Sequence, residues 1–281
     1  MNASALPLHR ASRQLVRGIL LKRIGPGRIP PLGYAHRDDY AVFGLVERGS
    51  CRVAVDFTEH VLSARDLMCV EPGQAHRIID AGDCEAALLL VDETFISDSA
   101  RRLFATRALD PLPVRIGEES FGELSGLLHQ IARRCEAPAT EDSAGIVRHL
   151  TGAALGIFAE SLREATPLHV RSGRPPEIML AFRKLLDKAP VPDRRPSFYA
   201  AQLHLSPGYL NEVVRACTGQ SAGGYIRRNL VLRAKRQLAY TSSDVREIAF
   251  ALGFEDAAYF TRLFTKTTGV SPTQFRRDYL G

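Results

Sequence analysis

The last hundred residues of the chain repeat one short pattern twice, and this repeat restricts the possible folds more than any other feature. The segment YAAQLHLS at 199–206 resembles IAFALGFE at 248–255, each with an early alanine and a leucine three residues later. Beyond that segment the offset between the copies grows from 49 to 50 residues, so that Leu210 aligns with Phe260, Val214 with Phe264 and Gly219 with Gly269. A repeat of this kind predicts two copies of one helical unit.

Both copies carry the residue types that a helix-turn-helix needs where its two helices meet. Ala200 and Ala249 are small enough for a close helix crossing. Gly253 tolerates a left-handed backbone without steric cost, whereas His204, at the same place in the first copy, adopts it less readily. The sequence therefore predicts two helix-turn-helix units.

The ends of the predicted helices are also marked in the sequence. Ser206 and the pair Glu255–Asp256 are placed to cap the second helix of each unit. Gly219 and Gly269 are placed to end those helices. Between the units, residues 225–238 form one amphipathic helical stretch, which predicts a continuous helix that holds the units apart.

From about Glu177 to Tyr279, somewhat over a third of the chain, the sequence resembles the AraC/XylS family of transcription regulators. The resemblance implies a regulator, of activator type, whose partners are double-stranded promoter DNA and RNA polymerase. The matching residues are Ser206-Pro-Gly-Tyr-Leu, Thr218-Gly219, Ile226-Arg227, Leu232, Ala234, Ile248-Ala249, Gly253-Phe254, Tyr259-Phe260, Arg262, Phe264, Gly269-Val-Ser-Pro272 and Phe275-Arg276.

In the first unit the resemblance places base contacts at Gly208, Asn211 and Glu212, and helical spacing leaves Arg215 on the same outward face. Asparagine pairs with adenine and glutamate accepts from the cytosine amino group. Gly208 offers no side chain, however, and Glu212 stands where many relatives carry a basic residue. Both departures predict weak base readout by this helix.

In the second unit Ala257, Ala258, Thr261 and Arg262 are expected to face outward. Alanine and threonine suit thymine methyl groups, and the arginine fork suits guanine or phosphate. The basic residues expected at phosphates are Lys266, Arg227, Arg228, Arg233, Lys235, Arg236, Arg276 and Arg277.

The distribution of charge agrees with a DNA partner for the C-terminal part. The 281-residue chain has 19 Lys and Arg against 22 Asp and Glu before residue 167, and 18 against 9 from there on. A basic segment of this kind is typical of nucleic-acid binding. A proline- and glycine-rich linker is predicted at 167–176, which divides the chain into domains at 1–166 and 177–281.

The N-terminal part has the pattern of short strands separated by turns, typical of a barrel or sandwich. We therefore predict an α+β protein, with a cupin-like β-barrel followed by two helices and then an all-α domain. In the AraC/XylS family the first domain often binds a small effector, so an effector is expected here. The predicted strands are Tyr40–Val46, Cys51–Phe57, Asp66–Val70, Ala75–Ile79 and Ala86–Val91.

The competing interpretation is a metal-dependent cupin enzyme fused to a DNA-binding domain, which needs several histidines and a glutamate around one ion. The sequence offers His36 ahead of two aspartates, and His76 by itself. We therefore predict no enzyme activity, no cofactor and no metal site. Weak candidates for effector binding are His36, His76 and the pair Arg13 and Arg17, whose spacing resembles a phosphate clamp of PilZ-type sites.

Two amphipathic helices are predicted at Ser120–Cys135 and Ser143–Glu164, with apolar stripes that must be buried. We expect these stripes to form a homodimer interface, with packing on the barrel as the alternative. No apolar run reaches the roughly 18 residues of a membrane span, and no secretory signal is visible. The five scattered cysteines favour neither disulfides nor structural zinc, so a cytoplasmic location is expected.

Overall fold

A computed structural model describes residues 8–10, 18–25, 34–98, 100–101, 113–136, 141–165, 174–187 and 195–280. These residues belong to two compact units. The strand-rich unit holds the described residues up to 165, and the helical unit holds those from 174 onward.

The strand-rich unit is built from two main sheets and a short strand pair. One sheet has five strands in the order β10-β7-β4-β9-β2, another has three in the order β6-β5-β8, and β1 pairs with β3. The strands are β1 (Leu8–His9), β2 (Ile19–Ile24), β3 (Arg37–Asp38), β4 (Ala41–Arg48), β5 (Ser50–Val55), β6 (Thr58–Ser63), β7 (Asp66–Val70), β8 (His76–Asp80), β9 (Glu85–Val91) and β10 (Val114–Arg115).

The central strand β4 separates two apolar cores because its side chains alternate between the two faces of the sheet. Val42 and Val46 belong to the core shared with the three-stranded sheet. Phe43 and Leu45 belong to the core on the other face, which two helices cover. A strand buried on both faces is apolar at every position, as Ala41–Val46 is.

The two helices are α1 (Glu118–Glu136) and α2 (Glu141–Glu164), close to the predicted bounds. Their apolar stripes pack on the five-stranded sheet: Leu124 and Leu128 are fully buried there. The rings of Phe158 and Phe43 lie 5.2 Å apart in an edge-to-face contact. These residues of the stripes pack within the same chain, as the alternative predicted, whereas Ile146 is exposed and the homodimer interface stays a prediction.

The predicted α+β class and the order of strand-rich part, helical pair and all-helical part are confirmed. Among the described residues the strands form separate hydrogen-bonded sheets, so the predicted barrel is not closed. Strand β6 was missed, because Thr58, Glu59 and Val61 are exposed at the edge of the three-stranded sheet and give no apolar run. Phe57, predicted in a strand, lies in the hairpin turn with a φ of 71°.

The helical unit has two apolar cores joined by one long helix, α6. The first core takes residues from α3 to the start of α6, and the second from the rest of α6 to α9. The helices are α3 (Arg174–Asp187), α4 (Pro196–Gln202), α5 (Pro207–Thr218), α6 (Ala222–Tyr240), α7 (Val245–Ala251), α8 (Ala257–Thr268) and α9 (Pro272–Leu280).

Part of the predicted linker 167–176 lies outside the described residues. Its last three residues, 174–176, belong to α3. Within the ranges that the structure describes, no helix is both long and apolar enough to cross a bilayer.

Candidate functional site

The two helix-turn-helix units consist of α4 with α5 and α7 with α8. The turn residues have the left-handed backbone that the sequence predicted: φ is 55° at His204 and 78° at Gly253. In both turns a backbone amide returns to the fully buried alanine, from Leu205 to Ala200 and from Phe254 to Ala249. The repeat in the sequence is thus a repeat in the structure.

The left-handed turn gives a first prediction. Gly253→Ala should lower the local stability of α7 and α8 by about 1 kcal/mol, because alanine pays a steric cost at this φ that glycine avoids. Hydrogen exchange of the α7 and α8 amides, measured by mass spectrometry, reports this local stability. Gly208→Ala is the matched control, since an added Cβ at this helical position meets no atom within 4 Å. Unchanged protection in Gly253→Ala would contradict the assignment.

The caps that begin and end the second helices are also those expected. Ser206 accepts a hydrogen bond from the Tyr209 amide, and Asp256 accepts from the amides of Ala258 and Tyr259. Gly219 and Gly269 end the helices in the left-handed conformation. These caps fix where each helix begins and therefore which residues lie on its outer face.

Helix α8 presents a row of exposed residues four apart, Ala258, Arg262 and Lys266. The Arg262 side chain is 72% exposed, and its guanidinium lies 3.8 Å from the exposed Asp256 carboxylate. Ala257 packs against the second core, and the Thr261 hydroxyl donates to the Ala257 carbonyl. Two of the predicted contacts are thus turned partly inward, and Arg262 is central among the exposed ones.

Helix α5 presents a different row: Gly208, Glu212 and Arg215 are exposed. Asn211 is half-buried, and its side-chain carbonyl accepts a hydrogen bond from the Ala222 amide at 3.0 Å. This contact joins α5 to the first turn of α6. A bidentate contact with adenine would need the same oxygen, so the predicted base contact of Asn211 conflicts with its structural role.

Two of the arginines expected at phosphates are instead clamps inside the helical unit. Arg276 donates from Nε to the Leu238 carbonyl at 3.0 Å and from Nη2 to the Ser243 carbonyl at 2.6 Å. Arg233 donates to the Leu186 carbonyl at 2.8 Å, and burial lowers its pKa. Their guanidinium groups satisfy helix-end and loop carbonyls, which helical spacing in the sequence does not reveal.

A second candidate site lies in the strand-rich unit, where a cavity of about 170 Å³ runs between the five-stranded and three-stranded sheets. Its wall is mainly aliphatic, with Val42, Met68 and Leu90 on one side and Val53 and Ile78 on the other. The polar lining consists of His9, Lys22, His36, Asp38, Tyr40, Cys51, His76, Arg77 and Cys84.

The histidines of this lining form one cluster around the buried carboxylate of Asp38. The ring centroid of His36 lies 4.5 Å from that of His9 and 4.3 Å from that of His76. The nitrogen atoms His9 Nδ1 and His76 Nε2 lie 3.2 Å and 3.3 Å from the two carboxylate oxygens. The sequence suggested that His76 stands by itself, but it belongs to this cluster. His9 was missed, and Asp38 was noted only as one of the two aspartates that follow His36.

Burial and mutual charge set the protonation of this cluster. Burial, with the neighbouring His76 as a further cause, lowers the pKa of His36 to about 4. Burial would raise the pKa of Asp38, but the hydrogen bond and charge of His76 outweigh it, so this pKa is lowered. The pKa of Tyr40 is raised, mainly by burial and then by the charge of Asp38. At neutral pH the cluster therefore holds a neutral His36, an ionised Asp38 and a neutral Tyr40. The other weak candidates, Arg13 and Arg17, lie outside the described residues.

Comparisons with known proteins give two family matches, one in each unit. Residues 33–155 match the AraC-like ligand binding domain, and residues 199–278 match a helix-turn-helix domain. Curated relatives include the uncharacterized HTH-type transcriptional regulator YijO of Escherichia coli K12, 35% identical over 80 residues, and the HTH-type transcriptional activator RhaR of Salmonella typhi, 35% identical over 78 residues. Each match covers 28% of this chain and spans 28% of the relative's length.

Solved structures that align with this chain cover either most of it or its C-terminal part. Unsaturated fatty acid bound ToxT of Vibrio cholerae is 13% identical, with 93% of this chain and 95% of that chain covered and a TM-score of 0.47. The C-terminal domain of the response regulator yesN of Fusobacterium nucleatum is 29% identical, with 34% and 93% covered and a TM-score of 0.31.

A match to an AraC-like ligand binding domain precedes two capped helix-turn-helix units in this chain. Both matches agree with the resemblance to AraC/XylS transcription regulators.

Proposed function

We propose that residues 177–281 bind promoter DNA as one module, with α5 and α8 in successive segments of the major groove. The observation that carries this proposal is α6, which contributes to the cores of both helix-turn-helix units. With 19 residues it is roughly 28 Å long, close to the about 34 Å of one DNA turn. Residues 1–166 would then form the effector domain, and the linker would end where α3 begins.

The module is expected to protect two major-groove segments, about one helical turn apart, on one face of the duplex. Hydroxyl-radical footprinting of residues 174–281 on the promoter of its own gene or a selected operator measures this. Arg262→Ala and Glu212→Ala identify which segment each helix covers, because each change should disturb one segment. Protection of a single segment by the folded module would contradict the proposal.

We further propose that the effector is a small, largely apolar molecule with one polar group, bound between the two sheets. A cavity of about 170 Å³ suits a ligand of benzene size, since a cavity of roughly 150 Å³ holds benzene. Ligand sites typically combine apolar walls with a few polar groups that fix orientation. The histidine cluster with Tyr40 supplies such groups here.

A thermal-shift screen of the full chain against small aromatic and aliphatic acids, alcohols and amides tests this, because a ligand of the folded state raises the melting temperature. Gly44→Val should abolish the shift, since Gly44 lines the cavity and the added methyl groups enter it. Val61→Ile is the matched control, because it adds apolar bulk to a side chain that is 64% exposed. A shift that Gly44→Val leaves intact would place the ligand elsewhere.

The remaining assignments are proposals of the same regulator. Activation through RNA polymerase agrees with the name of the relative RhaR, a transcriptional activator. We propose a cytoplasmic regulator without enzyme activity, in agreement with relatives named as regulators. The homodimer through α1 and α2 is also a proposal, and sedimentation with and without DNA tests it.

A further inference from the structure

The backbone brings four potential metal ligands together from three distant parts of the chain. Strands β1 and β3 pair in parallel with His9 opposite Asp38. His36 and His76 form an antiparallel bridge and exchange two backbone hydrogen bonds of 3.0 Å and 2.8 Å. Because both pairings are backbone contacts, they hold the Cα atoms of the four residues close together.

The hydrogen bonds of two imidazole rings leave their other nitrogen atoms as donors to a cation. His36 Nδ1 lies 3.3 Å from the Tyr34 carbonyl, and His76 Nδ1 lies 3.1 Å from the Gln74 carbonyl. A carbonyl oxygen only accepts, so each Nδ1 carries a proton, and a ring without a second proton has a lone pair on Nε2. Metal-binding histidines are commonly held in this way by a carbonyl behind the ring.

The buried carboxylate of Asp38 faces these nitrogen atoms with its own lone pairs. Asp38 is 3% exposed, and among the described residues its Oδ1 accepts no hydrogen bond, although His9 Nδ1 lies 3.2 Å away. His76 Nε2 is 3.3 Å from Oδ2. Without a cation, the lone pair of a neutral His76 ring would point at a carboxylate. A positive charge between these groups, from a second proton on a ring or from a metal ion, removes this repulsion.

The spacing of these atoms fits a metal ion. One potential ligand atom from each of His9, His36 and Asp38 lies within 4.8 Å of the others. Zinc–nitrogen bonds of roughly 2.0–2.1 Å give tetrahedral edges of about 3.3 Å, close to the 3.2 Å between His9 Nδ1 and Asp38 Oδ1. Two imidazoles and one carboxylate favour a first-row transition ion over Mg²⁺ or Ca²⁺, which prefer oxygen ligands.

We propose that His9, His36 and Asp38 bind one divalent first-row transition-metal ion in the wall of the cavity, with His76 next to them. This replaces the absence of a metal site predicted from the sequence. The proposal does not depend on DNA binding, and a metal ion here would add a positive centre to a cavity whose wall is mainly aliphatic. An anionic or lone-pair group of an effector is the chemistry that such a centre attracts.

The test uses the full chain, freed of any histidine tag and of metal by chelation, titrated with Co²⁺. We expect one equivalent to bind, with visible d–d absorption from nitrogen and oxygen ligands, and Zn²⁺ to displace it. His36→Gln and Asp38→Asn should each weaken binding by at least about 100-fold. His129→Gln and His149→Gln are matched controls, because both side chains are exposed on α1 and α2, and they should bind as the unchanged chain does.

Circular dichroism of each variant checks its fold, and X-ray absorption of the unchanged chain with Zn²⁺ counts imidazole ligands without any substitution. Two or more imidazoles in that spectrum support the site even where a variant fails to fold. Uptake well below one equivalent, or a spectrum with fewer than two imidazoles, would overturn the proposal and leave a protonated ring as the cation. Equal loss of binding in the control variants would overturn it as well. Footprinting with the metal-free chain separates this result from the fate of the DNA-binding proposal.

Discussion

Phe264→Ala is expected to lower the free energy of unfolding of the second helix-turn-helix unit by about 3–5 kcal/mol, which is the usual cost of emptying a buried phenylalanine site. Phe264 is fully buried in the second core of the helical unit. Its ring packs against those of Phe260 and Phe275, with centroid distances of 5.9 Å and 5.7 Å. Removing it opens α8 and α9 from α6, so specific DNA binding should fall with the stability.

The two separate cores make this effect local. Hydrogen exchange is expected to lose protection in α7, α8 and α9, while the Leu210 and Val214 amides in the first core retain theirs. Val214→Ala, at the equivalent position of the first unit, should cost about 2 kcal/mol in the first core, because a valine side chain loses less apolar volume. Uniform loss of protection across both units in Phe264→Ala would contradict two separately stabilised cores.

The helical unit could be predicted from the sequence because its determinants are local. Turn residues, caps and apolar spacing act over three or four residues, and each of them recurs 49 or 50 residues later in the second copy. Gly253 and Asp256 illustrate this, since the positive φ of one and the cap made by the other follow from residue type alone. The capping box of Asp244 with Glu247 has the same kind of signal, although it was not recognised.

The functional polar side chains were harder to predict because their partners are remote or are backbone groups. Asn211 and Arg276 are spaced like exposed helical residues, yet one caps α6 and the other binds carbonyls 33 to 38 residues away in the chain. Helical periodicity shows which side a residue faces but does not show what lies there. Helical spacing was therefore compatible with DNA contacts at both residues, whereas in the structure both side chains make hydrogen bonds within the helical unit.

The histidine cluster was missed because long-range strand pairing builds it. His9 meets Asp38 through β1 and β3, each a strand of two residues, and such short strands leave no alternating pattern in a sequence. His36 and His76 meet through one isolated bridge. The motif spacing around His36 and His76 gives no indication that His9, from the first ten residues, lies beside them.

The two recognition helices are expected to contribute unequally to specificity, with the larger share from α8. Glu212 of α5 is exposed at the position equivalent to Arg262, and its charge repels phosphates. The Arg262 guanidinium is exposed, always charged and shaped for the O6 and N7 acceptors of guanine. Its contact with Asp256 at 3.8 Å is between exposed groups, so exchanging it for a base costs little.

Arg262→Ala should therefore weaken binding to the preferred operator by about 1–3 kcal/mol, roughly 5- to 150-fold, and relax the preference at one base pair. Asn211→Ala is the matched comparison: it should lower the stability of the first unit by about 1 kcal/mol through the lost cap on α6, with little change in base preference. Binding to single-base operator variants at two salt concentrations measures both effects. If Arg262→Ala keeps every base preference and only lowers the salt slope by about one, Arg262 binds phosphate, and its assignment as a base-reading residue is wrong.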